Sequence, residues 1–314
     1  MADTLTTTTQ VDPAVSVFYD RVLLKAATAN LVHLKWAQHA RLDKKNGNTY
    51  KWRRYANLTA ATTPLAEGVN PPGQLLSKSD LTAQVSWYGD FVHITDVIDM
   101  TVEDAVLTVA ASKLGEQADR TFDTLMRDIL VASASSTNAS GGSNGNTPTE
   151  ITRADVDSIV KTMLGNDAKL ITSMIMGGSG QGTTPVRAAF RAIVKTILID
   201  DLEDCAGFKP ISEYPSQKDV DGMTEWGSVG NVRFHQTSIG HASSDSPVQY
   251  KIPIIGQDAY GDVTLEGMKN IVKGFGSAGT ADPLDREASS GWKKVWAARI
   301  LNDSFVHLLV VTHS

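Results

Sequence analysis

Residues 177–183 (GGSGQGT) are the first candidate for chemistry. They follow an apolar run that reads as a strand and precede a segment that reads as a helix, where a phosphate would meet free backbone N–H groups. Gly177 and Gly182 even stand at the spacing of a phosphate-binding loop. The next residue is Thr183, however, and the lysine that would reach the phosphates is missing. Gly141-Gly142-Ser143-Asn144-Gly145 matches G-x-S-x-G in letters. That motif activates a serine only on a tight strand-to-helix turn, and here it lies in a Ser/Gly/Asn stretch.

The remaining reactive side chains are scattered. None of the seven histidines (His33, His39, His93, His235, His241, His307, His313) forms H-E-x-x-H, and the single cysteine, Cys205, offers no zinc pair and no intrachain disulfide. Asp200, Asp201, Glu203 and Asp204 crowd one helix end. Without the alternating oxygen ligands of a calcium loop they read as a solvated acidic face. Trp52 and Tyr55 beside Arg53 and Arg54 could stack on single-stranded nucleic acid. On a two-stranded ribbon, which is marginal alone, they read better as a contact between subunits. No catalytic residue, metal ligand or cofactor is expected, and the chain does not read as an enzyme.

The elements that must carry these residues come next. The 314 residues are 41% apolar, enough for a real core, and the formal net charge of −6 argues against sequence-independent binding along a nucleic-acid backbone. MADTLTTTTQ lacks the basic and apolar regions of a signal peptide, and the longest apolar run, LLVV near the C-terminus, is too short to span a bilayer, so a soluble, unanchored chain is expected. From Pro13, Val15, Phe18, Val22 and Ala26 recur at helical spacing, and residues 31–40 continue the pattern. Asn46-Gly47 marks a turn.

Residues 50–58 and 75–96 read as strands on either side of TPLAEGVNPPG (63–73). Leu81, Ala83, Val85 and Trp87 alternate with polar residues, which predicts one apolar face. A structureless connection of this length is uncommon unless it has a task, so the arm should lie against its own body or a neighbour's. Residues 101–134 predict an uninterrupted helix of roughly 50 Å. Thr101 and Asp104 form its capping box, Val102, Val106, Val109, Leu114, Ala118, Phe122, Leu125 and Ile129 its apolar stripe, and Glu116, Arg120, Asp123 and Arg127 its polar side. Residues 135–148 predict a flexible polar linker. Thr152 caps a second helix, residues 170–176 form a strand, and a third helix runs from Pro185 to Asp204 through Phe190, Val194, Ile197 and Leu198. Short strands follow at 232–234, 250–255 and 262–265. The chain ends in a hairpin of residues 292–301 and 304–311 around Asn302-Asp303, its last strand central or buried.

Taken in order, TPLAEGVNPPG (63–73), LTAQVSWYGDFVHITDVID (81–99), LGEQADRTFD (114–123) and TADPLDREASSGWKKVWAARILND (280–303) resemble the major capsid proteins of tailed bacteriophages, of the group typified by the coliphage whose virion carries its own RNA polymerase. GNVRFHQTS (230–238) and QDAYGD (257–262) resemble it more weakly, and residues 171–225 carry little of it. The resemblance implies an α+β chain with the Hong Kong 97-type (Johnson) capsid fold. It implies an N-terminal arm over 1–48, an extended E-loop over 49–90, and a peripheral (P) domain over 91–149 with its spine helix at 101–134. Residues 150–255 would be mainly the axial (A) domain, and 256–314 the return strands of the P-domain. It implies self-assembly into hexamers and pentamers of an icosahedral head around double-stranded DNA held without sequence-specific binding. Scaffolding, portal and decoration proteins would be partners, no membrane would be, and the protein would be made in the bacterial host cytoplasm and reside in the virion. Arg53, Arg54, Glu67, Lys78 and Asp80 are the residues expected to touch a neighbouring subunit. An encapsulin-like nanocompartment shell on the same fold, and a nucleotide-binding enzyme using Gly177 to Thr183, are the alternatives.

Overall fold

The computed structural model describes residues 32–65, 67, 68, 70, 71, 73–101, 106–133, 135–172, 188–214, 220, 224–277 and 282–313. The helix expected from Pro13, the glycine loop at 177–183 and Asp104 of the expected capping box lie outside these residues. In chain order the elements are β1 (Gln38–Arg41), β2 (Thr49–Tyr55), β3 (Lys78–Gln84), β4 (Ser86–Thr95), α1 (Asp96–Thr101) and α2 (Val106–Ser133). Next come β5 (Ser135–Asn138), α3 (Arg153–Gly165), β6 (Phe190–Lys195), α4 (Ile199–Glu203), β7 (Phe208–Pro210), β8 (Glu225–Val229) and β9 (Val232–Thr237). The last are β10 (Gln249–Ile255), β11 (Tyr260–Lys273), β12 (Glu287–Ile300) and β13 (Val306–Thr312).

Three sheets result. One has the order β1-β11-β12-β4, one the order β5-β13-β10-β6-β9-β8-β7, and the third is the β2-β3 ribbon. The 28 residues of α2 span about 42 Å at the helical rise. Leu114, Ala118, Phe122, Met126 and Leu130 recur every four residues along it and are buried. They meet the inward side chains of β4 and β12. Phe122 lies edge-on to Tyr88, Trp292 and Trp296 at centroid distances of 5.9, 5.6 and 5.4 Å.

The middle of the seven-stranded sheet is covered on both faces, so β6, β9 and β13 lose the alternation of a half-buried sheet. Phe190, Ala192 and Val194 of β6 join Val156, Ile159 and Met163 of α3 in one core cluster, while Ile193 faces a second cluster containing the α2 residues. α3 opens with a capping box in which the Thr152 side chain accepts from Asp155 N–H and the Asp155 carboxylate accepts from Thr152 N–H, as expected from the sequence.

Several expectations need correction. Pro185, the expected start of the third helix, lies outside the described residues, and the rest of that helix is instead β6 followed by a single 3-10 turn and the short α4. FRAIVK is a short apolar run whose spacing fits a helix as well as a strand buried on both faces. Residues 32–40 do not continue a helix: a turn at 33–36 leads into β1, which pairs parallel to β11. Thr101 is helical and preceded by helix from Asp96, so it does not stand at a helix start as the expected cap would. The C-terminal hairpin does not form, because β12 pairs with β11 and β4 while β13 pairs with β10 and β5. β13 is central and buried, as its composition predicts. Residues 135–148 are not a free linker. β5 runs parallel to β13, and buried Asp155 accepts from Ser140 N–H at 3.0 Å and Gly142 N–H at 2.6 Å. Segment composition could not reveal these partners, which stand elsewhere in the chain.

Candidate interaction surface

The arm is built from two ladders that meet at Val85. β3 pairs with β2, with Trp52 opposite Leu81 and Arg53 opposite Asp80; β4 pairs with β12. Residues opposite each other in an antiparallel pair share a face. Tyr50, Trp52, Leu81 and Ala83 therefore form the inner face, and Lys51, Arg53, Tyr55, Lys78 and Asp80 the outer one. The inner face rests on the body at its root, where Ala83 and Val85 join Leu42, Val263, Val295 and Ala297, with Tyr50 and Trp52 against them. Arg299 donates to the Thr82 carbonyl. The alternation expected through Trp87 ends at Val85, and Trp87 is exposed. The change of pairing partner there shifts which residues face inward.

Beyond the root the arm leaves the body. Arg53 Nε lies 3.4 Å from Asp80 Oδ1, with Lys51 Nζ at 3.7 Å and Lys78 Nζ at 4.0 Å from Asp80 Oδ2. Tyr55 and Asp80 together raise the Arg53 guanidinium above its already high ordinary value. Three cations around one carboxylate leave this outer face net positive. Arg54, opposite Ser79, lies on the inner face past the body contact and is exposed. Glu67 is exposed in the connecting loop. The structure thus brings Arg53, Lys78 and Asp80 together, and places Arg54 and Glu67 apart from them.

The ladder continues past the ribbon. Ala56 N–H donates to Ser77 at 2.9 Å, and the Gln74 side chain makes two hydrogen bonds with the Thr59 backbone at 2.9 and 2.7 Å. Leu58, Leu65, Leu75 and Leu76 decorate this distal part, and Leu75 is 94% exposed. Sequence reasoning passed over these leucines, since they sit in a turn-rich segment without periodicity. Their one legible signal was four leucines in a stretch otherwise made of Thr, Ala, Gly, Pro, polar residues and one valine.

The other candidates have structural partners. Trp52 packs on the body and Tyr55 lies on the opposite face, so the two make no stacking platform. Ser143 of the G-x-S-x-G match lies in the loop tied to Asp155, and its hydroxyl donates to Ser140 at 3.3 Å. Asp201 lies 2.8 Å from His313, and Glu203 accepts from Trp226 at 2.9 Å. His33 is held by Asp123, His39 by Asp262 and His307 by Thr137. His235 is buried, and desolvation together with the nearby Arg191 pushes its pKa well down. Cys205 is buried, which pushes its thiol up and away from reactivity. Among the described residues no group of three or more His, Cys, Asp or Glu is placed to hold a metal ion. No described helix is long and apolar enough to cross a membrane.

A family model described as phage capsid protein matches residues 78–231. No curated protein matches. Among solved structures, the head of Helicobacter pylori bacteriophage KHP40 is 12% identical, with 91% of this chain and 92% of that chain covered at a TM-score of 0.66. The capsid of Ralstonia phage GP4 is 11% identical, covering 91% and 93% at a TM-score of 0.65. The capsid of Cyanophage P-SCSP1u is 11% identical, covering 89% and 87% at 0.61. At such identities the likeness speaks to the fold: the chain has the α+β, Hong Kong 97-type capsid architecture.

Proposed function

We propose that this chain is the major capsid protein of a tailed bacteriophage, a structural protein that assembles into the icosahedral head shell and resides in the virion. The observation that carries the reading is the arm, on a fold shared over nine-tenths of the chain with phage capsids. Its root is anchored to the body, while its distal leucines and its basic outer face stand clear of it. A second copy of the chain supplies the missing cover. A contact of this kind joins two different surfaces, and such heterologous contacts close into rings when the rotation permits, here hexamers and pentamers. Each contact can be modest, since a closed shell multiplies it.

Finer assignments extend this reading. β2, β3 and the loop between them act as the E-loop, and α2 as the spine of the P-domain. Residues 150–255 supply most of the A-domain sheet, completed by β5 and β13. Arg53, Arg54, Glu67, Lys78 and Asp80 contact the neighbouring subunit. The blocks at 81–99 and 280–303 support a place in the group typified by the coliphage with a virion RNA polymerase. Scaffolding and portal proteins, a decoration protein and packaged double-stranded DNA are the partners that a head of this kind takes. No observation favours an encapsulin-like compartment or a nucleotide-binding enzyme over this.

Electron microscopy of the fast-sedimenting fraction of the expressed protein tests the reading. Closed shells or capsomer rings of uniform size support it. A protein that stays monomeric both alone and with a scaffolding protein co-expressed overturns it.

A further inference from the structure

We propose that the Asn46-Gly47 turn at the root of the arm is a site of spontaneous deamidation and backbone isomerisation. The tetrapeptide Asn-Gly-Asn-Thr occurs twice, at residues 46–49 and 144–147. The same chemistry is open to both. The glycine nitrogen attacks Cγ of the asparagine, the bond from Cγ to the side-chain nitrogen breaks, and ammonia leaves with the proton from the glycine nitrogen. The product is a five-membered succinimide. Water opens it at either carbonyl, giving aspartate or isoaspartate, and in isoaspartate the main chain gains one methylene. Nothing is oxidised or reduced, and water is the only co-reactant. Glycine favours the attack because no Cβ shields its nitrogen.

The two copies differ in what holds the reacting atoms. At the second, the Asn138 N–H donates to Asn144 Oδ1 at 3.0 Å, and the Asn138 side-chain amide donates to the Gly145 carbonyl at 2.8 Å. Turning Asn144 Cγ onto the Gly145 nitrogen breaks the first of these bonds and strains the second. Ser140 also crowds Gly145, with its Cβ 2.9 Å from where a Gly145 Cβ would stand. The loop is fixed further by Asp155, which holds the Ser140 and Gly142 amides.

At the first copy none of this restraint exists. Asn46 and Gly47 are exposed, and the backbone bond of the turn is a long one, from Asn46 N–H to the Asp43 carbonyl at 3.3 Å. Among the described residues no hydrogen-bond partner holds the Asn46 side-chain amide or the Gly47 N–H. Gly47 takes a positive φ of 83°, and no heavy atom lies within 4 Å of its Cβ position, so the turn is open where Ser140 crowds the second copy. Residues 42–48 connect β1, held on β11, to β2 of the arm, and Asn48 accepts from Val85 N–H at 2.9 Å at the arm's pivot. An isoaspartate at 46 lengthens that connection and adds a negative charge beside Lys44 and Lys45.

The test is to incubate the folded full-length chain at mildly alkaline pH and, in parallel, in denaturant. Peptide mass mapping follows both tetrapeptides, and isoaspartate is labelled with a protein isoaspartate methyltransferase. In the folded protein Asn46 is expected to convert several-fold faster than Asn144, and in denaturant the two rates should converge. Asn46→Gln should remove the fast phase without lowering the melting temperature. Equal rates in the folded protein, faster conversion at Asn144, or a difference that persists in denaturant would overturn the proposal.

Discussion

Asp123 of α2 holds His33 at both ends: its Oδ1 accepts the His33 backbone N–H at 2.8 Å, and its Oδ2 lies 2.8 Å from His33 Nδ1. Oδ1 also takes the Val32 N–H at 3.1 Å, and the Tyr260 hydroxyl donates to the His33 carbonyl. Both side chains are almost fully buried, at 1% and 2% exposed. The helix thus grips the incoming chain ahead of β1 through an almost fully buried carboxylate.

Asp123→Ala should therefore destabilise the fold strongly. It leaves two backbone N–H groups in the core without their acceptor, and each buried donor left unpaired costs about 1–3 kcal/mol. Urea unfolding checks the size. Amide exchange checks the place: protection at residues 32–37 should fall more than in β10 and β13. A loss spread evenly over the chain would remove Asp123 from the role of local clamp.

The outer face of the arm makes a different prediction. Arg53, Lys51 and Lys78 share Asp80 in water-exposed pairs, which contribute little to stability. The double change Arg53→Glu and Arg54→Glu should leave the melting temperature and circular dichroism of the unassembled protein unchanged. Particle yield after ultracentrifugation should drop several-fold, and the residual assembly should grow less sensitive to salt. Normal particle counts from the double mutant would take both arginines out of the subunit contact.

His39 and Asp262 set a pH dependence for the edge strand β1. The hydrogen bond to Asp262, and then its charge, raise the His39 pKa above the ordinary 6.5, while burial and the neighbouring Lys294 oppose the rise. A raised pKa means that the folded state binds the proton more tightly. The stabilisation is then fully present below the ordinary value and is lost as pH rises through the raised one. The side chain is still 65% exposed, so the effect is confined to the strand and is small. Amide exchange at residues 38–41, corrected for intrinsic rates, should show protection falling with pH across this window. His39→Gln should flatten the trend, and an unchanged trend in that variant would assign it to another group.

What was legible in the sequence follows from where each signal resides. The α2 stripe at Leu114, Ala118 and Phe122, the Thr152 cap and the alternation of Leu81, Ala83 and Val85 are local patterns, and each folds as its spacing predicts. The β2-β3 pairing was legible too, because turn-rich chain separates two extended runs. Asp123 was assigned to the polar side of its helix because period alone cannot see an amide arriving from 90 residues away. FRAIVK fits a helix by spacing, since burial on both faces erases the alternation that marks a strand. The C-terminal hairpin was expected because nearness in sequence usually means pairing, whereas Leu301 and Asn302 donate to the Ala259 carbonyl and the chain crosses there to the other sheet. Arg53, Lys78 and Asp80 could be placed on the arm from the two extended runs, but their grouping around one carboxylate needs the register that only the structure gives. The leucines beyond them could not, since a loop has no period from which to read exposure.

Those leucines give the sharpest separation between folding and assembly. Leu75 and Leu76 stand 94% and 65% exposed at the far end of an arm whose root alone touches the body. Replacing both with serine removes nothing from the core, so the fold should be as stable as before, or slightly more soluble. In the proposed shell the neighbouring copy covers each side chain, and covering a leucine is worth about 1.5–3 kcal/mol. That sum recurs at every subunit, so Leu75→Ser with Leu76→Ser should raise the concentration needed for assembly at least tenfold. Sedimentation velocity across a dilution series measures this directly. The paired change at Leu164, also exposed but on α3, serves as the control, since it alters surface apolarity without touching the arm. If Leu164→Ser impairs assembly as much as the double mutant does, general surface chemistry governs association and the arm tip does not.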